Sequence, residues 1–347
     1  MNPPPKPNRE AHARAAVARF GVMDPSEWGT GLSAQGAREA QRVSVDLVLD
    51  GRFGEAPNTP PAKLLIWCAA NVFTAPLEWT ARFAAWGSQV TLKAPSACPA
   101  PVEALAQAFA PLGVVAVNRP HEACWDLVSE ADAVLGFGGD EAMAELAAHI
   151  PAETPRSLHG HRVSLAVVTE DDAATAKALA MDLCLYDGQG CMSPAAIFCL
   201  GDPVRLAERL GDELFDMTTR LPRGAPSPGL GAERRRRLGL ANALGRAWEG
   251  DDWLVTVTPA RTFSPVSYAR LAAIHPIDSL DALSALPPLP WSSLGTDLYA
   301  DAAAKVAATL GVPRVCRPGE LQRPRFGRLH DGVNVEATLC RSPTWAP

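Results

Sequence analysis

The sequence predicts an α/β protein made of two successive strand–helix sets with parallel sheets. Short runs of strand length, such as 63–69 (KLLIWCA) and 163–168, are almost continuously apolar instead of alternating, as strands covered on both faces are. Helical patterns of roughly 10–15 residues separate such runs. The Pro-rich stretch 151–155 (PAETP) interrupts the alternation and sets a domain boundary near Pro155.

The elements follow in order. After the strand at 63–69, a helix over 76–86 opens on Pro76, a residue suited to a first helical turn. Strands are then expected over 89–93, 113–117 and 131–137, with helices over 101–110, 121–130 and 140–149. Past the boundary come a strand over 163–168, a helix over 171–185, a strand over 195–200 and a helix over 203–219. A Pro/Gly-rich loop, 221–231, leads to a basic helix reaching Trp248, and 253–258 is a further strand. Residues 286–290 read as a surface crossing. Residues 1–20 read as a disordered tail, because 1–9 are Pro-rich without the apolar core of a signal peptide.

The 347 residues can form two domains and bury a sizeable core. A net charge of −6 with mixed signs argues against a nucleic-acid surface. No window approaches the ~20 apolar residues of a membrane span. The eight cysteines form no CxxC pair and several lie in apolar runs, which suits reduced thiols in a cytoplasmic protein. His159-Gly160-His161 is the one close histidine pair and has no third ligand near it in sequence, so no metal site is expected.

The most informative segment is Tyr186-Asp187-Gly188-Gln189-Gly190-Cys191-Met192-Ser193-Pro194, between a helix and a strand. Glycines on both sides allow backbone conformations closed to other residues. A thiol there can be presented as a nucleophile beside backbone N–H donors. The opposing reading is a buried structural cysteine.

Three further stretches follow strands. Gly136-Phe137-Gly138-Gly139-Asp140-Glu141 opens a helix, where backbone can approach a phosphate, or where Asp140 simply caps the helix. Lys93, ahead of Ala94-Pro95-Ser96, stands where open α/β sheets bind ligands, or is a solvated lysine. Asn71 can donate to an oxyanion or cap the next helix. The run Arg234 to Arg237 covers a whole helical turn, so it reads as a solvated face, with contact to a CoA or NADP phosphate as the lesser reading.

With Asn71, Lys93, the Gly138-Gly139 turn and Cys191 in this order, the chain resembles the aldehyde dehydrogenase superfamily. More narrowly it resembles the LuxC-type acyl-CoA reductases, the fatty-acid reductases of luminescence operons. Gly160-His161-Arg162-Val163-Ser164 and His330-Asp331-Gly332-Val333 add to the likeness, which covers about 60–335. It implies an aldehyde-dehydrogenase-like fold with a Rossmann-type cofactor domain over 21–157, with 321–347 available to complete it. A catalytic domain over 158–320 would carry the cysteine. It implies Cys191 as nucleophile, Asn71 and the Cys191 N–H as oxyanion donors, Lys93 and Ser96 at the adenosine ribose, and Gly138 and Gly139 under the pyrophosphate.

Two departures from the wider superfamily are informative. Where NAD-using members place a ribose-binding Glu, this chain has Ser96; a 2′-phosphate is then not repelled, which favours NADPH over NADH. Where oxidising members have a Glu-Leu-Gly-Gly segment with a hydrolytic base, 157–161 holds Ser157-Leu158-His159-Gly160-His161 and no carboxylate. The expected function is therefore NADPH-dependent reduction of an acyl-CoA or acyl-carrier thioester to an aldehyde. The alternatives are an NAD(P)-dependent aldehyde dehydrogenase, or a degenerate partner subunit of an acyl-transferring complex. The expected partners are the thioester substrate and an acyl-transferring protein, with a homo-oligomer left open.

Overall fold

The computed structural model describes residues 8–226, 229–266 and 269–341. The described residues form two compact units, one holding residues 8–30, 40–161 and 325–341, the other Gly31–Glu39 and the described residues of Arg162–Pro324.

In the first unit, helices α1 (Arg9–Gly21) and α2 (Ala34–Asp50, whose first turn clusters with the second unit) precede an alternating series. The series is β1 (Lys63–Trp67), α3 (Leu77–Trp86), β2 (Gln89–Lys93), α4 (Ala100–Phe109), β3 (Val115–Val117), α5 (Trp125–Glu130), β4 (Ala133–Phe137), α6 (Asp140–His149) and β5 (Arg156–His159). The strands form a parallel sheet in the order β3-β2-β1-β4-β5. The order of strand addition reverses between β1 and β4, the switch point at which open α/β sheets leave a crevice.

Helix α1 corrects the expected disordered tail over 8–20; the rest of that tail lies outside the described residues. Ala13, Ala16, Val17 and Phe20 recur at helical spacing and are fully buried. The Arg19 guanidinium donates to the Ala108 carbonyl at 2.8 Å, and Gln41 Nε2 to the Phe20 carbonyl at 2.7 Å.

In the second unit, β6 (Val163–Val168), α7 (Ala173–Cys184), β7 (Pro194–Cys199) and α8 (Pro203–Arg220) are followed by α9 (Leu230–Leu244), β8 (Arg246–Glu249), β9 (Leu254–Val257) and β10 (Leu271–Pro276). Strands β11 (Trp291–Thr296) and β12 (Arg314–Cys316) flank α10 (Ala300–Leu310). The seven strands run in the order β12-β11-β6-β7-β10-β9-β8, parallel except for β8 against β9. Apolar clusters around Leu179, Leu210 and Val255, and around Leu165, Phe198 and Trp291, form its core. The basic helix ends at Leu244, not at Trp248. Gly245 breaks it, lying so close to the Val257 carbonyl that a Cβ would stand 1.9 Å from that oxygen.

A last helix, α11 (Val335–Leu339), belongs to the first unit. Its segment is held by buried charges: Glu78 accepts from the Gly327 N–H and the Arg328 guanidinium, both at 2.8 Å, and Arg82 reaches Glu336 at 2.5 Å. No helix of the described residues is long and apolar enough to cross a membrane.

Candidate active site

In the second unit, α7 begins with the Asp172 carboxylate accepting from the Thr175 N–H, and runs to Cys184. The loop that follows places Cys191 three residues before β7, at the entry to a central strand. The loop is closed by a hydrogen bond from the Ser193 N–H to the Gly190 carbonyl at 3.0 Å. Ser164 Oγ donates to the Cys191 carbonyl at 2.7 Å, and Gln322 Nε2 to Ser193 Oγ at 2.6 Å. Of the eight cysteines, Cys191 and Cys316 are half-buried and the other six buried. Burial pushes the Cys68 and Cys184 thiols up to about 12 and those of Cys199 and Cys316 up to about 11, and also raises Cys98, Cys124 and Cys340.

In the first unit, β1 pairs with both β2 and β4, with Trp67 opposite Lys93 and Gly136. Asn71, Lys93, Ser96, Gly138 and Gly139 therefore all lie at or just beyond the carboxyl edge of one sheet. Asn71 and Ser96 are exposed. Asn71 does not cap the next helix, because Pro76 is the N-cap of α3 and no side chain bonds there. Lys93 is not solvated: it is 2% exposed, with Nζ 5.4 Å over the Trp67 ring and donating to the Ala94 carbonyl.

The glycine turn has a different cap from the one expected. Gly139, not Asp140, is the N-cap of α6, and no side chain bonds to the helix end. The Asp140 carboxylate instead accepts from the His161 N–H at 2.7 Å. Gly138 donates its N–H to the His159 carbonyl at 3.1 Å, while a Cβ on Gly139 would meet nothing within 4 Å. An open, uncapped helix N-terminus behind Gly139 fits the phosphate of a dinucleotide.

The expectation that His159 lacks further ligand-type neighbours is corrected. His159, His330 and Asp331 place one ligand atom each within 4.8 Å of one another, and His161 is not among them. Hydrogen bonds account for these groups. His159 Nε2 lies 2.9 Å from Ser157 Oγ and Nδ1 3.3 Å from Asp331 Oδ2; His330 Nδ1 lies 3.3 Å from an Arg328 nitrogen. A guanidinium beside His330 opposes a second cation there. Asp331 also brings a carboxylate to the 157–161 segment, which sequence alone did not place there. Its side chain is 3% exposed and faces two imidazoles, so it is withheld from water. The His-Asp-Gly motif was visible in the sequence; its pairing with His159 was not, because 172 residues separate them.

The arginine run is largely occupied. Arg234 donates to the Trp253 and Gly250 carbonyls, Arg237 to those of Leu271 and Val266, and Arg236 to Glu233. Arg237 is 4% exposed. This corrects the solvated-face reading for two of the four.

A family model described as acyl-CoA reductase (LuxC) matches residues 83–342. The chain is 27% identical over 222 residues to long-chain acyl-protein thioester reductase 2 of Photobacterium leiognathi, covering 60% of this chain and 45% of that one. It is 26% identical over 232 residues to the long-chain acyl-protein thioester reductase of Aliivibrio fischeri, covering 62% and 47%. The chain thus spans less than half the length of these relatives. Among solved structures it is similar to a NAD-dependent benzaldehyde dehydrogenase from Corynebacterium glutamicum, with a TM-score of 0.68 and 16% identity over 92% of this chain and 84% of that one. It is also similar to succinic semialdehyde dehydrogenase from Streptococcus pyogenes, with a TM-score of 0.70 and 13% identity over 99% and 91%. The fold is aldehyde-dehydrogenase-like, as the resemblance implied.

Proposed function

Since this chain belongs to the LuxC family of acyl-CoA reductases, we propose that it reduces an acyl thioester to an aldehyde with NADPH, through a covalent acyl group on Cys191. The observation that carries the reading is the placing of Cys191: half-buried, in a glycine-flanked loop fixed at its carbonyl by Ser164, while six other thiols are buried. Its thiolate attacks the thioester carbonyl and displaces the thiol of CoA or of an acyl-carrying protein. Asn71 is assigned to the oxyanion of that step. A nicotinamide cofactor, when bound, supplies the hydride. The thiohemiacetal on Cys191 then collapses, releasing aldehyde and restoring the thiol. Gly139 and the α6 N-terminus would hold a phosphate of the cofactor, and Lys93 and Ser96 its ribose side. The absence of a carboxylate from Ser157-Leu158-His159-Gly160-His161, where oxidising members carry their hydrolytic base, supports reduction over hydrolysis.

The test is mass spectrometry after incubation with an acyl-CoA and no cofactor. One acyl group on the Cys191 peptide is expected, and none on Cys191→Ala. Acyl label on another cysteine, with Cys191→Ala still reducing the thioester, overturns the proposal.

A further inference from the structure

The loop ahead of Cys191 has an unusual backbone. Tyr186, Asp187 and Gly188 stand consecutively in the left-handed region, with φ of 61°, 48° and 68°. Only Gly188 adopts this freely; Tyr186 and Asp187 do so against the clash of their Cβ atoms. Such a conformation persists only where its surroundings over-determine it.

The surroundings converge on one carboxylate. Asp187 Oδ1 accepts from Arg270 Nε and Nη2, both at 3.2 Å, and Oδ2 from the Gly224 N–H at 2.8 Å. Arg270 is fully buried, itself has a φ of 56°, and also donates to the Leu221 carbonyl. The Gly224 loop is pinned in turn: Ser33 Oγ donates to the Pro222 carbonyl at 2.6 Å, and the Ala225 N–H to the Gly31 carbonyl at 2.9 Å. Gly224 packs so closely that a Cβ would lie 2.0 Å from the Gly31 oxygen.

Between Asp187 and Cys191 lie two glycines and Gln189, tied to the strained turn by the Gln189 N–H, which donates to the Tyr186 carbonyl at 3.0 Å. Downstream, Ser164 holds the Cys191 carbonyl. The thiol is thus suspended between two anchors, both within the second unit. We propose that the Asp187–Arg270 pair is a positioning device that sets the attack geometry of Cys191. This rests on the reading of Cys191 as nucleophile. Neither residue touches the substrate; both act through the loop.

The experiment uses the full chain and a single-turnover measurement of Cys191 acylation by an acyl-CoA, beside iodoacetamide alkylation and a thermal melt. Asp187→Asn keeps the shape and an acceptor for Gly224 but loses the charge. It is expected to slow acylation by about tenfold to a hundredfold, the scale set by misplaced reacting atoms. Arg270→Lys keeps the charge with a single donor group and should fall between wild type and Asp187→Asn. A merely structural role would lower the melting temperature and leave the acylation rate of the folded fraction unchanged. Acylation and alkylation within twofold of wild type in folded Asp187→Asn overturn the proposal. Should neither variant fold, hydrogen exchange of the wild-type 185–192 peptide decides: slow exchange supports an anchored loop, and exchange as fast as in an exposed loop overturns it. Cys191→Ala is the control for the underlying reading. If that variant still reduces the thioester, the nucleophile assignment fails, whatever the Asp187 data show.

Discussion

His159 Nδ1 faces Asp331 Oδ2 across 3.3 Å, although the two residues are 172 apart in sequence. With Ser157 Oγ at 2.9 Å from Nε2, the arrangement that satisfies each atom has Nδ1–H donating to Asp331 and Nε2 accepting from Ser157. The same His159 supplies the carbonyl that receives the Gly138 N–H. The pair therefore links the C-terminal segment to the turn assigned to the cofactor, inside one unit.

Removing that carboxylate leaves a buried imidazole donor without its acceptor. Asp331→Ala should destabilise the first unit by about 1–3 kcal/mol. Asp331→Asn should cost less, since Asn keeps an acceptor and tolerates the φ of 50° found there. Urea denaturation followed by fluorescence measures both. Equal and negligible losses would mean that the contact does not hold the segment.

Thiol reactivity should separate the cysteines by pH. A thiol raised to about 11 by burial, as in Cys199 and Cys316, stays protonated well above neutrality and is only about 0.3% thiolate at pH 8.5. Its labelling rises only as pH climbs towards 11. Iodoacetamide at pH 8.5 should therefore modify Cys191 first, with Cys316 the comparison because it is also half-buried. Peptide mapping showing Cys316 or Cys184 labelled as fast as Cys191 would contradict the assignment.

Gly139→Ala isolates the cofactor reading from stability. With nothing within 4 Å of the added Cβ, the melting midpoint should shift by less than about 0.5 kcal/mol equivalent. NADPH affinity should fall, because the methyl group stands where a phosphate would approach. Gly245→Ala is the contrasting change: its Cβ meets the Val257 carbonyl, and about 1–3 kcal/mol of stability should be lost. Unaltered cofactor titration of Gly139→Ala would move the phosphate elsewhere.

Cofactor choice turns on Lys93 and Ser96. Lys93→Ala should weaken NADPH more than NADH, and Ser96→Glu should shift preference towards NADH by repelling a 2′-phosphate. Lys93 is buried over Trp67, so if it contacts the cofactor as proposed its ammonium would leave the ring, and Trp67 fluorescence should report that movement. A wild type that prefers NADH defeats the argument from Ser96.

Asn71→Ala should lower kcat by about 10²–10³, the usual cost of one oxyanion donor. Cofactor binding should hardly change. A raised cofactor Kd with normal single-turnover chemistry would make Asn71 structural.

The sequence by itself determined the class of the fold and most of its central strands. Strands β1, β4, β6 and β7 are buried almost throughout, and their sequences are near-continuous apolar runs, as strands covered on both faces commonly are. It also marked the cysteine loop, since Gly188 and Gly190 are chemical signals at fixed positions. The tertiary structure alone decided the rest. Strand β5 at a sheet edge and β11, whose Ser292, Ser293 and Thr296 are buried but polar, carry no apolar run to read. Helix α1 carries an apolar stripe at 13, 16, 17 and 20, but it follows directly on a Pro-rich start whose composition reads as disorder. Lys93 reads in sequence as a ligand contact or a solvated lysine, and it is buried because Trp67 lies on the neighbouring strand. The anchors of the reactive loop, Arg270 for Asp187 and Ser164 for Cys191, lie 83 and 27 residues away. A side chain's partner across such distances depends on which strands pair, and pairing is set by the packing of the whole sheet, not by the residues on either side.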